Sequence, residues 1–146
     1  VIPQFLFQFL EAAMIWIAKL VFWAANFLVA VVAALHVGFM VLEMFFWTKP
    51  KGTTGLTMSG FTPQKAQDTA VLAANQGLYN GFLALGLFYG LVHPVADFAF
   101  QIKQFCLLCV IAAGVYGAAS LGRRTILYFQ AAPAALALIL IWIAYR

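Results

Sequence analysis

From Leu20 to Trp47 the chain carries one charged side chain, Glu43, in a stretch that is otherwise apolar apart from a few polar side chains. Three more stretches, Thr69 to Val92, Gln104 to Leu121 and Thr125 to Tyr145, carry no charge at all. At a rise of about 1.5 Å per residue, roughly 20 residues cross a hydrocarbon core of ~30 Å, and each stretch has that length or nearly so. Backbone N–H and C=O groups in lipid have to be satisfied within their own segment, which makes each run a helix. The expected fold is therefore all-α: an integral membrane four-helix bundle over residues 20–146, with spans at about 20–47, 69–92, 104–121 and 125–145. Composition agrees, since 66% hydrophobic and 8% charged residues do not describe a soluble domain.

Residues 1–19 follow another pattern. Gln4, Gln8, Glu11 and Lys19 recur at helical spacing among Phe, Leu, Met and Trp, which predicts an additional N-terminal amphipathic helix, either interfacial or extending the first span. No basic leader with a small-residue cleavage site is evident. Between the first two spans, residues 48–68 are rich in Gly, Thr and Pro and read as a loop, with Thr62-Pro63 as the N-cap and first position of the next helix. His93-Pro94 ends the second helix, and Gly122 lies in the short turn before the fourth.

Basic residues orient the bundle. Lys49, Lys51, Lys65, Arg123 and Arg124 collect on one side, and Lys19, Lys103 and Arg146 on the other. The first side, with loops 48–68 and 122–124, is the expected cytoplasmic face of a multi-pass protein of the bacterial cytoplasmic (inner) membrane. The net charge of +4 is scattered, with no aromatic-interleaved basic stripe, so nucleic acid is not an expected partner.

Polar groups at membrane depth are costly and mark functional candidates. Counting from the cytoplasmic end places Glu43, Asn75, Gln76, Tyr116 and Gln130 within about two turns of that face, with His36, Tyr79 and Asn80 somewhat deeper. His36 and Glu43 are seven residues apart and share a helix face, and Gln76 stacks with Tyr79 and Asn80. These eight residues are the expected ligand-binding set, with His36 and Glu43 as candidates for proton transfer. The bland reading is that amides tie helices together in lipid and that Gly77, Gly81, Gly86 and Gly90 form packing surfaces. An intramembrane carboxylate, however, needs a partner or a proton.

Other chemistry is poorly served. Cys106 and Cys109 have the spacing of a redox pair but lie among Phe, Leu and Val, so they read as packing cysteines. His36 and His93 stand too far apart for a shared haem or metal, and no phosphate loop, nucleophile elbow or zinc motif is present. Neither cofactor nor metal is expected.

Three strings are more specific: Leu35-His36 through Trp47, Ala74-Asn75-Gln76-Gly77-Leu78-Tyr79-Asn80-Gly81-Phe82-Leu83-Ala84, and Ala113-Gly114-Val115-Tyr116-Gly117-Ala118. Together with Gln130 and Pro133 they resemble the small bacterial membrane proteins of domain-of-unknown-function family 1304, over about Leu28 to Ile141. The resemblance implies a four-helix membrane protein without an established activity, sometimes labelled an epimerase on grounds these residues do not supply. The segment Val1 to Lys19 is outside it.

The leading functional reading is a membrane protein that binds a lipid-like or small neutral ligand in an intramembrane polar pocket, with isomerase-type proton transfer as its enzymatic form. The competing class is a structural or accessory subunit of a larger membrane complex or homo-oligomer, in which the polar groups only fix the bundle. A small transporter is weaker, because no broken-helix pair or inverted repeat is evident.

Overall fold

The computed structural model describes residues 3–49 and 62–145; most of the long loop, including Lys51, and the terminal Arg146 lie outside the described residues. α1 runs Gln4–Val41 and continues through a π-helical turn, Leu42–Phe46. α2 is the short helix Pro63–Asp68, and α3 and α4 span Ala70–Val92 and Ala96–Leu121. α5 starts with Arg124–Ile126, passes a second π-helical turn at Leu127–Ala131, and ends with Ala132–Ala144. No strand occurs among the described residues.

Local sequence accounts for the ends of these elements. Thr62 accepts a hydrogen bond from the Lys65 N–H at 3.2 Å, and Pro63 follows it at the first helical position, where its missing N–H costs nothing. Gly122 terminates α4 at φ 65°, a conformation other residues adopt at a cost, and the Arg123 N–H reaches back to the Ala118 carbonyl at 3.0 Å. In α5, Pro133 lacks a donor and its ring crowds the preceding turn, which is the physical cause of the π-helical widening just before it. Trp47 Nε1 donates to Thr69 Oγ1 at 3.1 Å, tying the end of α1 to the start of α3.

Among the described residues three helices are long and apolar enough to cross a membrane: Gln4–Phe46, Ala96–Leu121 and Arg124–Ala144. α3 has the length, at 23 residues, but Asn75, Gln76 and Asn80 dilute its apolar character. The helices close a ring in chain order: α1 packs on α3, α3 on α4, α4 on α5, and α5 back on α1. Ala25, Val29, Val32, Leu87, Leu107, Val110, Ala137 and Ile141 fill its centre.

α1 has no break at residue 20. The 43 residues Gln4–Phe46 would extend about 65 Å, twice the ~30 Å core. From Pro3 to Leu20 every side chain except Ala13 is exposed. α4 also starts two turns before the charge-free stretch 104–121, because Lys103 is accommodated inside the bundle.

Small residues set the helix spacing, as is usual where no aqueous hydrophobic effect drives helices together in lipid. A Cβ on Gly77 would lie 2.7 Å from Met44 Cγ and 3.1 Å from Glu43 Cβ, and one on Gly81 2.7 Å from Met40 Sδ. Gly86 meets Cys106 and Gly90 meets Lys103 in the same way. At Gly114 the obstacle is backbone, since a Cβ would lie 2.9 Å from the Ala131 nitrogen. Gly114→Ala is therefore expected to push α4 and α5 apart and lose ~1–3 kcal/mol in a detergent unfolding titration. Gly117→Ala, whose Cβ would stand 3.6 Å from Ile126 Cγ2, is the control and should be neutral or slightly stabilising through helix propensity.

Candidate functional site

The antiparallel contact of α1 and α3 brings one carboxylate and one carboxamide together. Gly77 and Gly81 let the α3 backbone approach Met40, Glu43 and Met44, and at that spacing Asn80 Nδ2 donates to Glu43 Oε2 at 2.7 Å. Asn80 is buried and Glu43 half-buried. Among the described residues, His36 Nε2 is the fully enclosed side-chain polar atom with no partner. The second oxygen of Glu43 and the carbonyl oxygen of Asn80 make no hydrogen bond among the described residues, and neither is fully enclosed.

His36 lies on the same stripe of α1, fully buried. Its Nδ1 is 2.8 Å from the Val32 carbonyl, and because a carbonyl only accepts, Nδ1 carries the proton and donates. Nε2 is thus a bare acceptor. The ring packs edge-on against Phe39, with centroids 5.5 Å apart. The structure does not join His36 to Glu43: seven residues amount to about 10 Å along the helix axis, beyond hydrogen-bond reach.

The other sequence-derived candidates separate. Asn75, Gln76 and Tyr79 are exposed on the outer side of α3, Tyr79 at 57%, with Gln76 one turn from Asn80. Tyr116 projects from α4 and is 76% exposed. Gln130 is half-buried within the second π-helical turn, which packs on α4 and α5. No hydrogen bond links any of these five to Glu43 or Asn80. Two shallow depressions of the surface lie away from these residues, one around Leu138 and Trp142 on α5 and one around Tyr89, His93 and Phe98 where α3 meets α4. The seam itself is a close helix contact carrying one carboxylate–carboxamide hydrogen bond.

A second polar cluster, at the opposite end of the ring, is absent from the sequence-derived set. Lys103, counted by charge among the residues outside the membrane, is 1% exposed. Its ammonium donates to Asn26 Oδ1 at 2.8 Å and to the Tyr145 hydroxyl at 2.9 Å, and its stem lies against Gly90. Asn26 is oriented for this by its own N–H bond to the Phe22 carbonyl at 2.8 Å. One side chain thus touches all four long helices. The signal was present in the sequence: Ala99, Lys103, Cys106, Val110, Gly114 and Ala118 follow one helical stripe, and all are buried.

Cys106 and Cys109 are free thiols, and Cys106 packs beside Gly86. Among the described residues no three His, Cys, Asp or Glu side chains are grouped closely enough to hold a metal.

Comparison with known proteins places this geometry in a family. The profile of the family described as "Protein of unknown function (DUF1304)" matches residues 30–142. The chain is also similar to the "Uncharacterized protein YpaA" of Lactococcus lactis subsp. lactis (strain IL1403), at 29% identity over 112 residues, which covers 77% of this chain and 92% of that protein. No solved structure matches.

The Lys103 cluster makes a measurable prediction. Asn26→Ala leaves a buried ammonium short of an acceptor and should lose ~1.5–3 kcal/mol, the range for a hydrogen bond to a charged group. Lys103→Met removes the charge and should be near neutral, as for other buried ions replaced by apolar side chains. The double variant, measured in the same unfolding titration, should be more stable than Asn26→Ala alone; strict additivity would mean that the two side chains do not interact.

Proposed function

Because the chain belongs to the DUF1304 family, whose description assigns no activity, we propose from its geometry that it is a membrane-embedded binding protein. Its site is the α1–α3 seam, and its ligand is a lipid-like or other small amphiphilic molecule held by its polar end. The observation that carries this reading is the pair of oxygens on Glu43 and Asn80 that have no partner among the described residues and are not fully enclosed. A carboxylate inside an apolar helix is expensive and calls for a complement. Gln76 and Tyr79 stand exposed on neighbouring positions of α3, and Glu43 itself lies in a π-helical turn, a distortion that recurs at functional sites.

In this reading α3 crosses the membrane with its three neighbours, since it packs along α1 and α4 from Gly77 to Gly90. The membrane is the bacterial cytoplasmic one. Burial of Lys103 sharpens the charge bias, leaving Lys19 and Arg146 against Lys49, Lys51, Lys65, Arg123 and Arg124. The loops holding those five face the cytoplasm, and the seam lies close to that surface. Any acid–base step on a bound ligand falls to Glu43, because the free nitrogen of His36 is enclosed.

A second reading, a subunit of a larger assembly, is favoured by the unpartnered stretch from Pro3 to Leu20 and by outward Asn75 and Tyr116. Native mass spectrometry of protein extracted directly into lipid nanodiscs separates the two. The binding reading expects a small-molecule adduct on the wild type, at least several-fold less abundant on Glu43→Gln and on the outward-facing Gln76→Ala, and unchanged on Tyr116→Phe. Equal occupancy in all three variants, or co-migration with other polypeptides and no adduct, overturns it.

A further inference from the structure

We propose that the head group seated at the α1–α3 seam is a primary ammonium, so that the ligand class is a membrane-soluble amine. This rests on the seam being a binding site and goes on to name what it takes. The argument is an inventory of the hydrogen-bonding atoms that the fold leaves open there.

Glu43 Oε2 is satisfied by Asn80 Nδ2, which fixes the carboxamide so that its oxygen is the atom left over. The open acceptors at the contact are therefore Glu43 Oε1 and Asn80 Oδ1, with the second N–H of Asn80 Nδ2 as the one open donor. Asn80 Oδ1 is an acceptor whatever the charge state of the site, and Glu43 Oε1 is one while Glu43 is ionised. On the exposed side of α3, one turn and one residue before Asn80, Gln76 and Tyr79 make no hydrogen bond among the described residues, and each can serve as acceptor or donor to a head group that extends past the contact. Among the described residues Glu43 forms no ion pair with any Lys or Arg. The nearest cation along the chain, Lys49, holds its ammonium 5.0 Å over the Phe46 ring.

Each class of head meets this inventory differently. A phosphate or carboxylate head brings negative charge and further acceptors against Glu43, so it is repelled and leaves the seam unsatisfied. A hydroxyl head brings one donor and no charge. A quaternary ammonium brings charge without a donor. A primary ammonium brings a positive charge and three N–H donors, enough for Glu43 Oε1, Asn80 Oδ1 and one of Gln76 or Tyr79. Charge pairing gains strength where water is scarce, and the apolar helix faces around the seam supply such a setting.

The test uses the full-length chain in phosphatidylcholine nanodiscs and four probes with the same dodecyl tail: dodecylamine, dodecyltrimethylammonium, dodecanol and dodecanoate. Saturable binding is followed by Trp fluorescence, for which Trp47 lies one turn from Glu43. The expected result is dodecylamine binding with Kd at least tenfold below those of the trimethylammonium and alcohol probes, no competition by dodecanoate, and about tenfold weaker amine binding in Glu43→Gln. The head-group series is read on the wild type and needs no variant to fold. If the alcohol or the quaternary probe binds as tightly as the amine, and Gln76→Ala weakens it while Glu43→Gln does not, the ammonium assignment falls and the binding site stands. If no probe binds saturably and neither variant changes the signal, the site itself falls.

Discussion

The close approach of α1 and α3 governs the rest of the structure. Two helices in lipid gain little from hiding apolar surface, so their contact is held by fitted packing and by the few polar groups that meet across it. Gly77 and Gly81 supply the space, Met40 and Met44 fill it, and the resulting register sets Glu43 opposite Asn80. A side chain on Gly77 would press on Glu43 Cβ and the Met40 carbonyl, each 3.1 Å from its Cβ, and so disturb the carboxylate that Asn80 bonds, whereas at Gly81 the flexible Met40 side chain is what would have to move. The polar contact is thus a consequence of backbone proximity, and it in turn pins the sliding position of one helix on the other.

The two ends of the ring handle polar groups in opposite ways. At one end Lys103 is enclosed, given two acceptors and touched by all four helices. Such a cluster is closed to a ligand and acts as a fastening. At the other end Glu43 and Asn80 satisfy each other once and leave one oxygen each without a partner among the described residues. A buried polar group is expensive unless its capacity is used, and it is at this second end that capacity is left over. That contrast, more than the presence of polar residues as such, is the ground for proposing a site at one end and a fastening at the other.

Much of the fold was legible because its signals are local. Charge-free runs gave the helices and Thr62-Pro63 and Gly122 gave two of their ends, but depth by residue count set Glu43 level with Asn75 and Gln76 and put Asn80, its partner in the structure, one to two turns deeper. What failed to show was azimuth, the direction a side chain takes around its helix. Depth alone grouped Tyr116 and Gln130 with Glu43, yet they belong to the α4–α5 side, and Asn75 faces outward. When all faces of a helix are apolar, periodicity carries little information about which one meets a neighbour. Lys103 was hidden for a different reason: a charge is ordinarily placed outside, and here the small residue at Gly90 makes room for it inside.

The π-helical turns fall in the same category, since no residue pattern announces them, and their placement bears on function. One widens α1 at Leu42–Phe46 and the other widens α5 at Leu127–Ala131. Both lie toward the end of the ring where the long loop and the α4–α5 turn emerge, and each carries a polar residue, Glu43 in the first and Gln130 in the second. Pro133 explains the second turn by local sterics. Among the described residues the ring has no counterpart at the Lys103 end, where α3, α4 and the last part of α5 are regular helix. A π-helical turn swaps optimal backbone hydrogen bonds for a locally altered side-chain direction, so a fold that keeps two at one end departs from the regular helix there alone. The first of these departures holds Glu43, so the carboxylate that bonds Asn80 is carried on backbone that has left the regular helix.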